Sequence, residues 1–380
     1  MKLSIIPKDR SINTDTMKNH RINVPESMRY QVLGWARLLV FVLAATLLLS
    51  SCGNDSRDAR EDAGQEENAG VSSGVPEIDK LSRMIAQNPE DPELYHERAT
   101  IYYERGVMRE AIRDWTRAMD LDSLNPEYYH RLSDAFMDDN APMLAIETME
   151  DVVNMYPERV PSLLKLGEFY LIIGQFDEAI QSFNRVLIAA PNNPDALFMK
   201  GLTFRDQGDT TRAIRFLQTS IDVDPSIEDA YILLGQLHME KGSPLAERYF
   251  RNGIRANPKE PVMHHALAHY LHFMDRLEEA LEKYREMHVK FPSYAEGFYN
   301  AGLIHMELEE YDNAFEMFDM AVKIKPALSR GYFYRGKIFE KRGEYQRAKM
   351  DYDQARTLAP NFRAAEDALN RLVAETDPES

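Results

Sequence analysis

Cysteine is nearly absent from this sequence, and its longest apolar run is too short to cross a membrane as a helix. Cys52 is the only cysteine in 380 residues, which excludes an internal disulfide and a zinc site of paired cysteines. The run 38–49 has twelve residues, and only Thr46 among them is polar. As a helix it reaches about 18 Å, whereas a bilayer's hydrocarbon core is about 30 Å thick. The core of a signal peptide explains the run better.

Basic residues are also in deficit, since 45 Lys and Arg stand against 62 Asp and Glu and give a net charge of −17. Nucleic-acid binding without sequence preference needs clustered Lys and Arg, so we expect no nucleic-acid partner. Glycine-rich phosphate loops, nucleophile elbows and paired metal-helix motifs are lacking as well. Paired carboxylates such as Glu278 and Glu279 fall at predicted helix starts, where they complement the helix dipole. We therefore expect no enzymatic activity and no cofactor.

The residues before Cys52 resemble the lipobox of bacterial lipoproteins. Two arginines precede the apolar run, and the sequence Leu-Ser-Ser stands directly before the cysteine. The resemblance implies that the signal is cut there and that Cys52 is lipidated, so that acyl chains hold the protein to a membrane. An uncleaved anchor with an unmodified thiol is the alternative. Residues 1–51 are longer than a usual signal peptide, so we interpret them as a signal with a misassigned start and expect translation to begin at Met28 or Met17.

Residues 52–76 are interpreted as the lipidated cysteine followed by a disordered acidic tether. Six acidic residues lie between positions 53 and 76, and Val71 and Val75 are the only larger aliphatic side chains there. Such a composition cannot bury enough apolar area to offset the entropy of ordering. We expect a protein of the cell envelope, anchored in the outer membrane and facing the periplasm or the surface.

A period of 34 residues governs the sequence from position 92 to position 362. Its eight units span 92–125, 126–159, 160–193, 194–227, 228–260, 261–294, 295–328 and 329–362. The twentieth position is alanine in seven units, with Ala246 one place early in the short fifth unit. The eighth position is always small, and the units end near a proline in every case but one.

These residues resemble the tetratricopeptide repeat, which implies an all-α fold: a right-handed α-solenoid of about eight helix-turn-helix repeats. Small side chains let the two helices of a hairpin approach closely, so we expect Gly201 to face the neighbourhood of Ala213. Proline after the second helix ends it. One hairpin cannot cover its own apolar face, so neighbouring repeats must stack. We expect capping helices at 77–89 and 363–375, and a missing residue in the turn near Gly242, which either changes the path of the solenoid or is absorbed.

The resemblance implies a groove lined by the first helix of each repeat, at its second, fifth, ninth and twelfth residues, and the positions named here are the last three of these. An apolar, Met-containing wall of this kind suits adaptable binding of a peptide or protein segment, although packing between neighbouring first helices is the other explanation. The positions are Leu164, Glu168, Leu171, Phe198, Leu202, Arg205, Ile232, Gln236, Met239, His265, His269, His272, Tyr299, Leu303, Met306, Phe333 and Lys337.

Four histidines lie between His264 and His272, and three of them share one helical face. Three imidazoles on one face make His265, His269 and His272 weak candidates for Zn²⁺ or Cu²⁺, and they also suit a pH-responsive lining or an ordinary polar one. Repeats six to eight match the carboxylate clamp of chaperone-binding repeats only at Asn300 and, conservatively, at Arg330.

We therefore predict a membrane-anchored scaffold or adaptor that binds a protein or peptide in its groove. The alternatives are a metal- or pH-responsive envelope sensor that uses the 264–272 helix and an accessory subunit of an envelope enzyme or secretion complex.

Overall fold

A computed structural model describes residues 73–376 of the protein. The predicted signal peptide, Cys52 and nearly all of the predicted tether lie outside this range. The described residues form eighteen helices and no strand, so the prediction of an all-α fold is confirmed. None of these helices is long and apolar enough to cross a membrane. The chain divides into two compact units, unit one up to Pro191 and unit two from Asn192.

Unit one contains one single helix and three helical hairpins. Its helices are α1 (Pro76–Gln87), α2 (Pro92–Glu104), α3 (Met108–Leu121), α4 (Pro126–Asp138), α5 (Pro142–Met155), α6 (Val160–Ile172) and α7 (Phe176–Ala189).

Unit two contains five hairpins and a last single helix. Its helices are α8 (Pro194–Asp206), α9 (Thr210–Val223), α10 (Glu228–Glu240), α11 (Leu245–Ala256), α12 (Pro261–Phe273), α13 (Leu277–Lys290), α14 (Ala295–Glu307), α15 (Tyr311–Ile324), α16 (Ser329–Lys341), α17 (Tyr345–Leu358) and α18 (Arg363–Thr376). The first helices of the hairpins begin at the residues where the sequence places the repeats. The division into signal, tether, repeats and caps stays a prediction.

The helix ends follow from local sequence. Four of the eight first helices have proline as their first residue. A backbone N–H at this position has no partner within the helix, so proline loses no hydrogen bond there. Asp91, Asn125 and Asn193 precede three of these prolines, and each side chain accepts a hydrogen bond from a backbone N–H of the first turn. Seven of the eight second helices end two residues before a proline, as α7 does before Pro191.

Small residues set the distance between the two helices of each hairpin. The alanine at the twentieth position is fully buried in seven repeats, and so is Ala246 at the nineteenth position of the fifth. Gly201 was expected to face the neighbourhood of Ala213, and its nearest contact is Leu217, one turn further along the same helix. A Cβ on Gly201 would lie 2.6 Å from Leu217 Cγ, and a Cβ on Gly167 would lie 2.5 Å from a ring carbon of Phe183. The eighth position therefore approaches the twenty-fourth.

The short fifth repeat departs from its predicted shape. Four residues, not three, separate α10 from α11, and α11 has 12 residues where the other second helices have 14. The missing residue is thus absorbed at the start of the second helix rather than in the turn. Pro244 directly before α11 has helical backbone angles and forms its N-cap, because its ring fixes φ near −65°.

Every hairpin turn has a residue with positive φ at the fifteenth position of its repeat. Five of these residues are glycines, with φ between 63° and 82°. The other three are Asn140, Asp275 and Glu309, with φ of 61°, 60° and 59°. An L-residue with a side chain is strained in this region, and glutamate lacks the short polar side chain that lets Asn and Asp tolerate it.

Single helices cover the terminal hairpins. In unit one, Leu81 and Ile85 of α1 pack with Leu94 and Tyr95 of α2. In unit two, Leu372 of α18 packs with residues of α16 and α17. Glu366 of α18 is exposed, which suits the solvated side of a terminal helix.

Candidate functional site

The predicted binding positions of unit one all lie on α6. Leu164, Glu168 and Leu171 are half-buried there, at the fifth, ninth and twelfth residues of the helix. Their spacing of four and three residues places them on one face. Two leucines on either side of a carboxylate can contact an apolar segment and one polar group.

In unit two the predicted positions lie on five successive first helices, α8, α10, α12, α14 and α16. We call the surface formed by their fifth, ninth and twelfth residues the first-helix face. The expectation of a widely exposed apolar wall is wrong for several of its members. Ile232 and Tyr299 are only 2% exposed. Three further predicted positions are also buried: Phe198, Leu202 and His265.

Packing between successive first helices explains this burial. The α10 helix approaches α12, and α12 approaches α14. Side chains at the fifth position enter these contacts: the ring of Tyr299 on α14 lies 5.9 Å from the ring of Tyr334 on α16. Residues at the fifth position therefore hold the hairpins together, and the ninth and twelfth positions carry most of the accessible chemistry.

The remaining members of the first-helix face are accessible to different degrees. Lys337 is exposed, whereas Leu303 and Met306 pack partly against the core around Phe298 and Phe318. The other half-buried positions are Arg205, Gln236, Met239, His269, His272 and Phe333. This mixture of methionine, leucine and hydrogen-bonding groups can contact an apolar segment and pair with its polar groups.

The three histidines on α12 do not converge on one point. Asn300 Nδ2 on α14 lies 3.0 Å from His265 Nε2 and also donates to the backbone oxygen of Glu296 at 2.8 Å. Both contacts use the amide nitrogen of Asn300, which donates, so His265 Nε2 is the acceptor in the first. The His265 and His269 ring centroids are 6.2 Å apart. Within residues 73–376, no group of three His, Cys, Asp or Glu could hold a metal ion.

His272 has its own partner on the next first helix. Its Nε2 lies 3.1 Å from Glu307 Oε2. This contact ties the ends of α12 and α14 and directs the imidazole toward a carboxylate, away from His265. His265 and His272 therefore contact different residues of α14, Asn300 and Glu307.

The clamp-like residues of repeats six to eight are also engaged within the fold. Asn300 is 3% exposed and its amide hydrogens are used, so it does not face a ligand. The guanidinium of Arg330 lies 5.5 Å from the centre of the Tyr299 ring. The sequence match at Asn300 thus corresponds to a packing role.

Two lysines at the end of α16 stand over aromatic rings. Lys337 Nζ lies 5.8 Å from the ring centre of Phe333 and 5.7 Å from that of Tyr334. Lys341 Nζ lies 4.5 Å from the ring centre of Tyr311, the first residue of α15. Lys337 is one of the predicted positions, whereas Lys341 and Tyr311 are not. The four-residue spacing of the two lysines on a helix was the signal that could have found the pair.

Buried ion pairs recur at matching positions of the first and last repeats. In unit one, Arg98 Nε and Nη2 donate to the two oxygens of Asp114 at 2.6 and 2.9 Å. In unit two, Arg335 donates to Asp351 at 2.8 Å with both nitrogens and to Asp319 at 2.7 Å. Both arginines lie at the seventh position of their repeats, and Asp114 and Asp351 lie at the twenty-third. These charges are satisfied inside the hairpins and belong to the scaffold.

Comparison with known proteins agrees with this architecture. A tetratricopeptide repeat family model matches residues 130–194, 198–261 and 265–329. BBSome complex member BBS4 of Bos taurus is 21% identical over 193 residues, which is 50% of this chain and 37% of that protein. Type IV pilus assembly protein PilF of Pseudomonas aeruginosa is 24% identical over 162 residues, which is 42% of this chain and 64% of that protein. Each match covers less than two thirds of the relative's length.

A solved structure shares the fold. The crystal structure of yeast Tom70 superposes with a TM-score of 0.56 at 16% identity and covers 82% of this chain and 68% of that chain. The predicted tetratricopeptide solenoid is therefore confirmed.

Proposed function

The chain belongs to the tetratricopeptide repeat family, and we propose that it is a scaffold without catalytic activity that binds a protein or peptide segment on the first-helix face of unit two. Tetratricopeptide proteins act as protein–protein interaction scaffolds. The observation that supports this proposal most is that Met239, Leu303 and Met306 remain half-buried on two first helices of one unit, α10 and α14. Adaptable thioether and branched side chains beside hydrogen-bonding groups suit an extended or helical segment.

We further propose that the chain is a lipoprotein held to a bacterial membrane through Cys52. The apolar run 38–49 followed by Leu-Ser-Ser-Cys supports this proposal. Two or three acyl chains would hold the described helices to a membrane without a protein span. The location that we propose is the outer membrane, facing the periplasm or the surface.

Partners are expected among proteins of envelope assemblies. One relative is named a type IV pilus assembly protein, which supports testing subunits of such assemblies first. The metal-sensor alternative has less support, because His265 is engaged by Asn300 and His272 by Glu307. The role of an accessory subunit of an envelope enzyme or secretion complex stays a prediction.

The scaffold proposal is tested with two matched double variants of the full chain. Met239→Glu with Met306→Glu places two charges on the first-helix face, and Val289→Glu with Met350→Glu places two charges at exposed positions of second helices, which are 86% and 72% exposed. Affinity capture from the native host, after circular dichroism shows that both variants fold, should lose specific partners only with the first variant. Equal capture by both variants would refute a binding role of this face.

The anchor proposal is tested by mass spectrometry of the amino-terminal peptide from native cells. We expect a mature chain that begins at Cys52 with a thioether-linked diacylglycerol, and a Cys52→Ser variant that is released from membranes by washing. A native chain with a free thiol, or with residues before Cys52 still attached, contradicts the proposal.

A further inference from the structure

The eighth repeat has a charge of opposite sign to the rest of the protein. Residues 329–362 contain eight Lys and Arg against four Asp and Glu, a net charge of +4 in a chain of net charge −17. Such a local reversal attracts segments of negative charge, and the attraction weakens as salt rises.

Four of the eight cations in this repeat pair with carboxylates. Arg335 is held by Asp351 and Asp319, and Arg347 pairs with Glu344 at 2.6 Å. Lys337 and Lys341 contact aromatic rings. Within residues 73–376, no carboxylate oxygen lies within 4.0 Å of either ammonium group. Both lysines are exposed, so these two charges are available on the surface.

Glu340 lies near the lysines and interacts electrostatically with Lys337, but its hydrogen bonds come from two other residues. Glu340 accepts hydrogen bonds from Arg371 of α18, at 2.8 Å, and from the Tyr352 hydroxyl, at 2.6 Å. The hydrogen bond from Arg371 is the main cause that lowers the pKa of Glu340, so this carboxylate stays ionised in its pairing with Arg371. The closing helix thus takes up the one acidic side chain of α16.

We propose that the surface formed by Lys337, Lys341 and the rings beneath them binds an acidic, extended segment of a partner protein. This inference rests on the proposed scaffold function and assigns the chemistry of its partner. The two lysines are one helical turn apart, about 6 Å along the axis. Alternate residues of an extended peptide are about 6.6 Å apart, so carboxylates two residues apart match the two ammonium groups.

The aromatic rings add a second element of recognition. Phe333 is half-buried and its ring lies beside those of Tyr334 and Phe362, at 5.2 and 5.0 Å. The side chain between two acidic residues of a bound segment points to the opposite face of an extended chain, and the residues that flank the pair can lie on these rings. An acidic segment that also carries apolar residues therefore fits better than a purely acidic one.

The test uses the full chain and a fluorescein-labelled ten-residue peptide in which glutamate alternates with leucine and alanine. We expect saturable binding that weakens as salt is raised from 0.1 to 1 M. Lys337→Glu with Lys341→Glu should weaken it about tenfold or more. The matched control is Lys241→Glu with Lys259→Glu, which makes the same charge change at two other exposed lysines of unit two and should change the affinity by less than about twofold. The wild-type chain should bind a peptide with glutamine in place of glutamate only weakly. Its affinity for that peptide should be no higher than the affinity of the charge-reversed variant for the acidic peptide.

Each remaining outcome overturns the inference. A wild-type chain that does not bind the acidic peptide, or a charge-reversed variant that binds it as the control does, removes the assigned chemistry. Binding that appears only after residues 53–72 are deleted assigns the surface to the chain's own acidic segment. Partner capture that depends on Met239 and Met306 but not on the lysines leaves the scaffold function standing and refutes only the acidic partner.

Discussion

Two glycines in the same helix should respond in opposite directions to the same substitution. Gly302 and Gly297 both lie in α14, where alanine is a better helix former than glycine by about 0.8–1.0 kcal/mol. A Cβ on Gly302 would lie 2.7 Å from Phe318 Cε1 and 2.9 Å from two further ring carbons. A Cβ on Gly297 would meet nothing nearer than 3.7 Å. The difference between the two variants therefore isolates the cost of the close approach.

The Phe318 ring has little freedom to move away from a new methyl group. It is fully buried, stacks on Tyr334 at 5.4 Å and contacts Tyr299 at 5.8 Å. Carbon atoms prefer a separation of about 3.5–4.0 Å, so the ring would have to retreat by about 1 Å against these neighbours. Overpacking of this kind costs about 1–3 kcal/mol. After the gain in helix propensity, we expect Gly302→Ala to destabilise by about 1–2 kcal/mol and Gly297→Ala to stabilise by about 0.5–1 kcal/mol.

Hydrogen exchange with mass spectrometry is the suitable assay, because a chain of stacked repeats need not unfold in one step. Protection of α14 and α15 should fall in Gly302→Ala and rise in Gly297→Ala, while helices of unit one serve as the internal reference. Equal changes of one sign in the two variants would show that the approach of Gly302 to Phe318 does not limit the packing of this hairpin.

Three further predictions concern strain, buried charge and pH. Glu309→Gly should raise the free energy of unfolding of unit two by about 0.5–1 kcal/mol, because φ is 59° at this residue, and Asn140→Gly should gain less; urea unfolding that gives equal gains would contradict the strain argument. Arg98→Met should cost about 3 kcal/mol by leaving Asp114 buried and unpaired, and the double variant with Asp114→Leu should recover most of it; a double variant as unstable as the single one would refute this account. Burial raises the pKa of Asp229 to about 6, so the folded chain binds more protons than the unfolded chain between pH 4 and 6, and stability falls as pH rises through that window. Asp229→Asn should flatten this part of a profile of thermal stability against pH and raise stability at pH 7 by about 1 kcal/mol. An unchanged profile would count against the raised pKa.

The repeat architecture was predictable because a few positions carry it. Small residues at the eighth and twentieth positions, and proline after the second helix, each have one physical role that every repeat needs, so their periodicity shows in a single sequence. The fifteenth position has an equally strict role, but Glu309 occupies the same positive-φ conformation as glycine does elsewhere. Because three repeats have another residue type in place of glycine at this position, the sequence alone does not show that all eight turns need a positive φ.

The binding face was predictable in position but not in exposure. Ile232 and Lys337 lie on the first-helix face at its fifth and ninth positions, yet the first is buried and the second is exposed. The exposure of a side chain on this face depends on which side chains of the next first helix pack against it. It is therefore determined by two neighbouring repeats together and not by one repeat alone. The Asn300 match to a clamp failed for the same reason, since a histidine from the preceding repeat uses its amide.

The buried members of the face decide how its function can be tested. A charge placed at Tyr299 would lie among Phe318, Tyr334 and the guanidinium of Arg330. Burying an unpaired carboxylate there would cost several kcal/mol, so loss of a partner would report damage to two hairpins rather than to a contact. Lys337 is exposed, so a change of its charge should alter recognition and leave the packing of the fifth position intact, whereas Met306 is half-buried and its variants need a check of folding. A loss of binding in such variants, with unchanged hydrogen exchange in α14 and α16, therefore separates recognition from stability.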